Sequence, residues 1–176
     1  MKLFAALLLV VSLSACATSA IMTQGSAKPY NITSVSVDVS QLTSKQLISL
    51  PPAKQINADL TSSLQRELAA GSDKNGRSAI FVLQVNAFTL GDSGRETLNQ
   101  YSVSTIGGTA EIRDAKSGEV LVPGGNVFSA TPRSIADAAV LTGAILTLNP
   151  NGYKTRQQDY QDTINNFAVT IRQRLF

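Results

Sequence analysis

Four aliphatic side chains, Ile56, Leu60, Leu64 and Leu68, recur at every fourth residue between Pro51-Pro52 and Gly71. That spacing draws one apolar stripe along a helix, and such a stripe is stable only against a second layer of structure. Pro51-Pro52 suits the opening turn, whose N–H groups have no helical partner, and Gly71 is expected to cap the other end. A second stripe, from about Arg156 to Leu175, runs through Tyr160, Ile164, Phe167, Ile171 and Leu175. Arg172 and Arg174 fall where the helix dipole favours cations. Two long, one-sided helices therefore need a common apolar surface.

The rest of the chain supplies it as strands. Ile32 to Ser40 alternates, with Val35, Val37 and Val39 on one face and Ser34, Ser36 and Asp38 on the other, the period of a half-buried strand. Gln41 to Leu50 reads as a polar loop and Ser72 to Arg77 as a polar turn. Ala79 to Leu90, dense in Ile, Phe, Val and Leu, reads as a central strand, followed by a turn over Gly91 to Glu96. Gln100 to Asp114 is another strand, interrupted by Gly107-Gly108. Asp114 to Glu119 is a hairpin connection in which Gly118 can take positive φ. Glu119 to Val122 and Asn126 to Ala130 form two halves of a last strand split by Pro123-Gly124-Gly125, which places it at an edge or gives it a bulge. The order β-α-β-β-β-α predicts an α+β two-layer sandwich: a largely antiparallel sheet of about four strands with both long helices on one face.

The N-terminus carries an address. Lys2 precedes the apolar run Leu3 to Leu13, which is too short for a bilayer span of about 20 residues but fits the core of an export signal. Leu13-Ser14-Ala15-Cys16 resembles the bacterial lipobox, whose small residues precede a Cys that takes a diacylglyceryl thioether. The resemblance implies cleavage between Ala15 and Cys16 and acylation of Cys16, the only Cys in the chain. Two or three acyl chains, at about 0.8 kcal/mol per buried methylene, hold a protein stably on a bilayer. The expected layout is a signal peptide over 1–15, a lipidated Cys16 with a flexible, Ala-, Ser- and Thr-rich tether over 16–28, and one domain over 29–176. By similarity to lipoproteins of double-membraned bacteria, Ala17, rather than an Asp, implies the periplasmic face of the outer membrane.

Composition removes much chemistry. The 176 residues contain no His, which excludes a Ser-His-Asp triad, a Cys-His pair and any His-ligated zinc or haem. No G-x-S-x-G, S-x-x-K, G-x-G-x-x-G or GK[ST] signature occurs, and 15 basic against 12 acidic residues is too even for a dedicated nucleic-acid surface. Asp159 and Asp162, three apart on the last helix, read as a solvated flank at its positive end, the alternative being a cation or acid–base pair. Glu111 and Arg113 read as a polar sheet surface. Gly107-Gly108 and Gly124-Gly125 read as bulges or places of close approach. Ile135 to Leu148 is apolar almost throughout, and Ile135, Val140, Leu141, Ile145 and Leu146 are its candidates for contact with a partner or membrane. No cofactor and no metal is implied.

Lipobox, tether and element order together are similar to small bacterial envelope lipoproteins, including uncharacterised lipoprotein families and the auxiliary lipoproteins of ABC-type lipid transporters. Val103 to Val122, with Asp114-Ala115-Lys116-Ser117-Gly118-Glu119 at its turn, resembles the strand-turn-strand of such families. The resemblance implies a non-enzymatic, bilayer-attached component with an envelope protein partner, or a transporter auxiliary. A glycan hydrolase working with carboxylates alone is the catalytic alternative.

Overall fold

The computed structural model describes residues 22–91, 103–132 and 155–176. Within them the order is β1 (Tyr30–Asp38), α1 (Ser44–Leu47), α2 (Ala53–Gly71), β2 (Arg77–Thr89), β3 (Val103–Asp114), β4 (Val120–Pro132) and α3 (Arg156–Leu175). The four strands form one sheet in sequence order. β1 and β2 run parallel across the α2 crossover, and the two later pairings are antiparallel, so the sheet is mixed. α2 lies on β1, α3 lies on β3 and β4, and the two long helices pack on each other. This is the expected α+β sandwich with one covered face.

Burial follows the two periods. Ile56, Leu60, Leu64 and Leu68 of α2, and Tyr160, Ile164, Phe167, Ile171 and Leu175 of α3, are all buried. They meet Phe81, Leu83 and Val85 of β2 and Ile106, Ala110 and Ile112 of β3 in one core. In β1 the core side includes Ile32 as well as Val37 and Val39, which are out of phase with it. A register shift between Ile32 and Ser34 restores the phase. Polar links tie α2 to the sheet and to α3: Asn57 Nδ2 donates to the Val37 carbonyl at 2.5 Å, Ser63 Oγ donates to Asn165 Oδ1 at 3.0 Å, and Arg172 pairs with Glu67 at 3.1 Å.

Four local expectations change. Part of Gln41–Leu50 is a helical turn, α1, opened by a capping box in which Thr43 and Gln46 each satisfy the other's backbone N–H. Gly71 lies inside the last turn of α2 and not in a left-handed cap; a Cβ there would stand 2.6 Å from the Phe176 ring, so the position is small because α3 ends against it. Gly107-Gly108 does not interrupt β3. A Cβ on Gly108 would stand 2.2 Å from the Gln84 carbonyl oxygen, so the approaching group is the backbone of β2. The fourth concerns residues 22–28, expected as tether: Met22 and Ala27 are buried in the core, and the folded unit includes Met22. β4 runs unbroken at the sheet edge, with register shifts beside Pro123-Gly124, as its composition requires.

Candidate functional site

The topology gathers functional candidates at two opposite ends of the sandwich. β1 and β2 start, and α2, β3 and α3 finish, at one end; the other end carries α1 and the starts of α2, β3 and α3. α3, with 20 residues at about 1.5 Å each, separates the two by about 30 Å.

At the first end the chain enters the fold. Gly25, at φ +74°, donates its N–H to the Arg174 carbonyl at 2.9 Å, and Ala27 donates to the Leu175 carbonyl at 3.0 Å. The last carbonyls of a helix lack helical partners, so the entering segment serves as the C-terminal cap of α3. Beside it, Met22, Thr23, Gln24, Thr170, Gln173 and Arg174 line an open groove of about 540 Å³. The β3–β4 turn closes the same end. Asp114 Oδ1 accepts from the N–H groups of Lys116 and Ser117 and from Ser117 Oγ, while Oδ2 accepts from Arg77 Nε at 2.6 Å. The Ser117 backbone N–H, the Arg77 guanidinium and the Ser117 hydroxyl hold this carboxyl well below the usual carboxylate range. Gly118, at φ +74°, completes the turn.

The opposite end is polar inside. Ser104, Thr131 and Asp159 are all buried, Asp159 at 1 % exposure. Gly91 N–H donates to Ser104 Oγ at 2.8 Å, and Ser104 Oγ donates on to Asp159 Oδ2 at 2.7 Å. Ser104 pairs across the strands with Thr131. Among the described residues Asp159 Oδ1 and Thr131 Oγ1 have no hydrogen-bond partner. Next to them Tyr160 stacks on Phe88 with ring centroids 5.8 Å apart and donates its hydroxyl to Asp59 Oδ2 at 2.8 Å. Burial first, and the Asp59 carboxylate second, push the Tyr160 phenol above its ordinary value. Thr155 and Gln158 form a second capping box at the start of this helix.

The structure distributes the sequence candidates unevenly. Ala15, Cys16, Ile135, Val140, Leu141, Ile145 and Leu146 lie outside the described residues. Asp159 is not on a solvated flank: it faces inward onto Ser104, because it precedes the stripe residue Tyr160 by one position and so lies at the margin of the buried face. Asp162 is half-buried. Glu111 and Arg113 do share the outer sheet face, where Arg113 Nε donates to Glu111 Oε1 at 2.5 Å. Ser104 and Thr131 were not singled out from the sequence. Their signal was parity: Ser104 is in phase with Ile106, and Thr131 with Val127, on the buried face. Among the described residues no three His, Cys, Asp or Glu side chains are grouped as metal ligands, and no helix is long and apolar enough to cross a membrane.

No protein-family model matches the chain, and no curated protein matches it. Solved structures similar to it include a minor lipoprotein of Acinetobacter baumannii, at TM-score 0.39 and 13% identity, covering 78% of this chain and 87% of that one. A provisionally assigned lipoprotein of Caulobacter crescentus CB15 aligns at TM-score 0.39 and 16% identity over 67% of this chain and 78% of its own. The PelC dodecamer of Paraburkholderia phytofirmans aligns at TM-score 0.36 and 11% identity, over 83% of this chain and 93% of that one.

Proposed function

We propose that the protein is a lipid-anchored component of the bacterial envelope, held at the periplasmic face of the outer membrane by acylated Cys16, and that it acts by binding a protein partner rather than by catalysis. The observation that carries this reading is Leu13-Ser14-Ala15-Cys16 directly after an export-type apolar run, with a folded unit that includes Met22 soon after it. The absence of His from the whole chain supports a non-catalytic role. Intact-mass analysis of the mature protein should show a chain beginning at Cys16 and carrying acyl chains, and fractionation should place it with the outer membrane. Cys16→Ala should abolish both properties. An unmodified thiol on protein that fractionates as soluble would overturn the anchor, and in-cell crosslinking that returns only the solitary chain would overturn the partner. The apolar run Ile135 to Leu148 favours a second reading, an auxiliary of an ABC-type lipid transporter. That reading requires lipid to be recovered with the purified protein, and a clean extract would remove it.

A further inference from the structure

The short distance between the expected lipid and the first buried residue has a geometric consequence. Only residues 17–21 separate Cys16 from Met22, so Met22 lies at most about 20 Å along the chain from the acylated residue, at roughly 3.6 Å per residue. Met22 is 3 % exposed and packed into the core at the end of the sandwich where α3 finishes. The opposite end lies about 30 Å further along the α3 axis. The lipid therefore sits much nearer to one end of the domain than to the other.

That end has a charge pattern of its own. Lys28 precedes β1, Lys74 lies between α2 and β2, Lys116 lies in the β3–β4 turn and Arg174 lies in the last turn of α3. Contacts between these loops confirm that they share one end: Asn31 Nδ2 donates to the Lys74 carbonyl, and Ala115 N–H donates to the Ser78 carbonyl at the start of β2. Arg77 and Arg172, also here, are committed to Asp114, Glu119 and Glu67. Lys28, Lys74, Lys116 and Arg174 enter no salt bridge among the described residues, and the three lysines are exposed. Asp73, whose carboxylate accepts the Asn75 N–H, and the terminal carboxyl of Phe176 are acidic groups there that enter no salt bridge among the described residues.

We propose that this end, carrying Lys28, Lys74, Lys116 and Arg174, seats on anionic head groups of the same bilayer that holds Cys16, so that the domain stands with the end bearing Ser104, Thr131 and Asp159 directed away from the membrane. The inference rests on acylation of Cys16 and adds an orientation to it. A basic patch beside a lipid chain is a standard second contribution to membrane residence, at about fivefold in binding per cation near the surface, and it is weakened by salt.

The test uses the acylated full chain, extracted from bacterial membranes and reconstituted in phosphatidylcholine vesicles with or without phosphatidylglycerol, with a quencher on a fraction of the head groups. Because Cys16 is the only native Cys and its sulfur is acylated, a fluorophore can be placed at one new thiol, Ala115→Cys at the near end or Ile48→Cys at the far end. The proposal expects strong quenching at position 115 in the anionic vesicles, weak quenching at position 48, and relief of the former by salt. Replacing Lys28, Lys74 and Lys116 by Gln should reduce the docked population about fivefold per charge removed. Equal quenching at both positions, or quenching at 115 that ignores both phosphatidylglycerol and the three substitutions, overturns the orientation while flotation with the vesicles upholds the anchor. Protein that does not float, with an unmodified Cys16 by mass, overturns the anchor and the orientation together.

Discussion

The two ends of the sandwich differ in how they meet a buried carboxyl group: Asp114 at the entering end is fully engaged and Asp159 at the far end is not, while each end also buries a hydroxyl, Ser26 Oγ or Thr131 Oγ1, without a partner among the described residues. At the end where the chain enters, every oxygen of Asp114 is engaged, and the terminal carbonyls of α3 receive N–H groups from Gly25 and Ala27. At the far end Asp159 and Thr131 are buried with one side-chain oxygen each without a partner among the described residues. An unmet buried acceptor costs roughly 1 to 3 kcal/mol, whereas a met one contributes about 1. Asp114 therefore stabilises the entering end through both of its side-chain oxygens, while Asp159 does so at the far end through one.

Substitutions can break or sharpen this contrast. Leu68→Ala, in the fully buried last turns of α2 at the entering end, should have the largest effect, a loss of about 3 kcal/mol in urea-induced unfolding. A loss near zero would show that this end is not part of the cooperative core. Gly76→Ala comes next, at about 2 kcal/mol, because the new Cβ would stand 2.7 Å from the Pro29 backbone carbonyl, which cannot swing aside.

The paired test of the two aspartates is smaller and more discriminating. Asp114→Asn converts one acceptor oxygen into a donor facing Arg77 or the Ser117 N–H, and should lower the melting temperature clearly. Asp159→Asn keeps an acceptor for Ser104 Oγ and removes a buried charge, so stability should change by less than about 1 kcal/mol in either direction. Equal losses for the two would erase the contrast. The acid limb reports the same group. Asp114 titrates in the folded protein below its unfolded value of about 3.9, so its contribution is complete above that pH and is lost as pH falls through the folded value. Thermal melts of the wild type and Asp114→Asn should therefore converge as the solution is acidified below about pH 4. An equally small effect, in the stabilising direction, is expected from Thr131→Val, which removes a hydroxyl without a partner among the described residues and should stabilise by less than about 1 kcal/mol in the same urea assay.

Much of this architecture was legible because it repeats. The α3 stripe located a helix whose observed limits, Arg156–Leu175, match its apolar period; alternation located β1, apolar density located β2, and turn residues bounded β3 and β4. α1 was missed because its four residues bury none of their side chains and so leave no period, although Thr43 and Gln46 carried a capping-box spacing. The tether was drawn too long for a similar reason. Ala, Ser and Thr around Met22 give no pattern, yet the backbone N–H groups of Gly25 and Ala27 close a helix more than a hundred residues later in the chain. Of the functional candidates, Cys16 was legible because lipobox chemistry is local in sequence. The Ser104, Thr131 and Asp159 cluster was not, because it joins two strands and a helix across the sheet.

Local pattern alone settled the two long helices and the four strands, though not α1, and that the N-terminus carries an export-type run ending in Cys16. Those properties depend on neighbours within a turn or two of the chain, where side-chain spacing is dictated by backbone geometry. Tertiary structure decided that Gly71 makes room for Phe176, that Gly108 makes room for the Gln84 carbonyl, and that Asp159 is inside while Lys28, Lys74 and Lys116 share one outer end. Each of those outcomes is set by which distant backbone arrives beside a residue. Sequence spacing does not encode that arrival until the layers have packed.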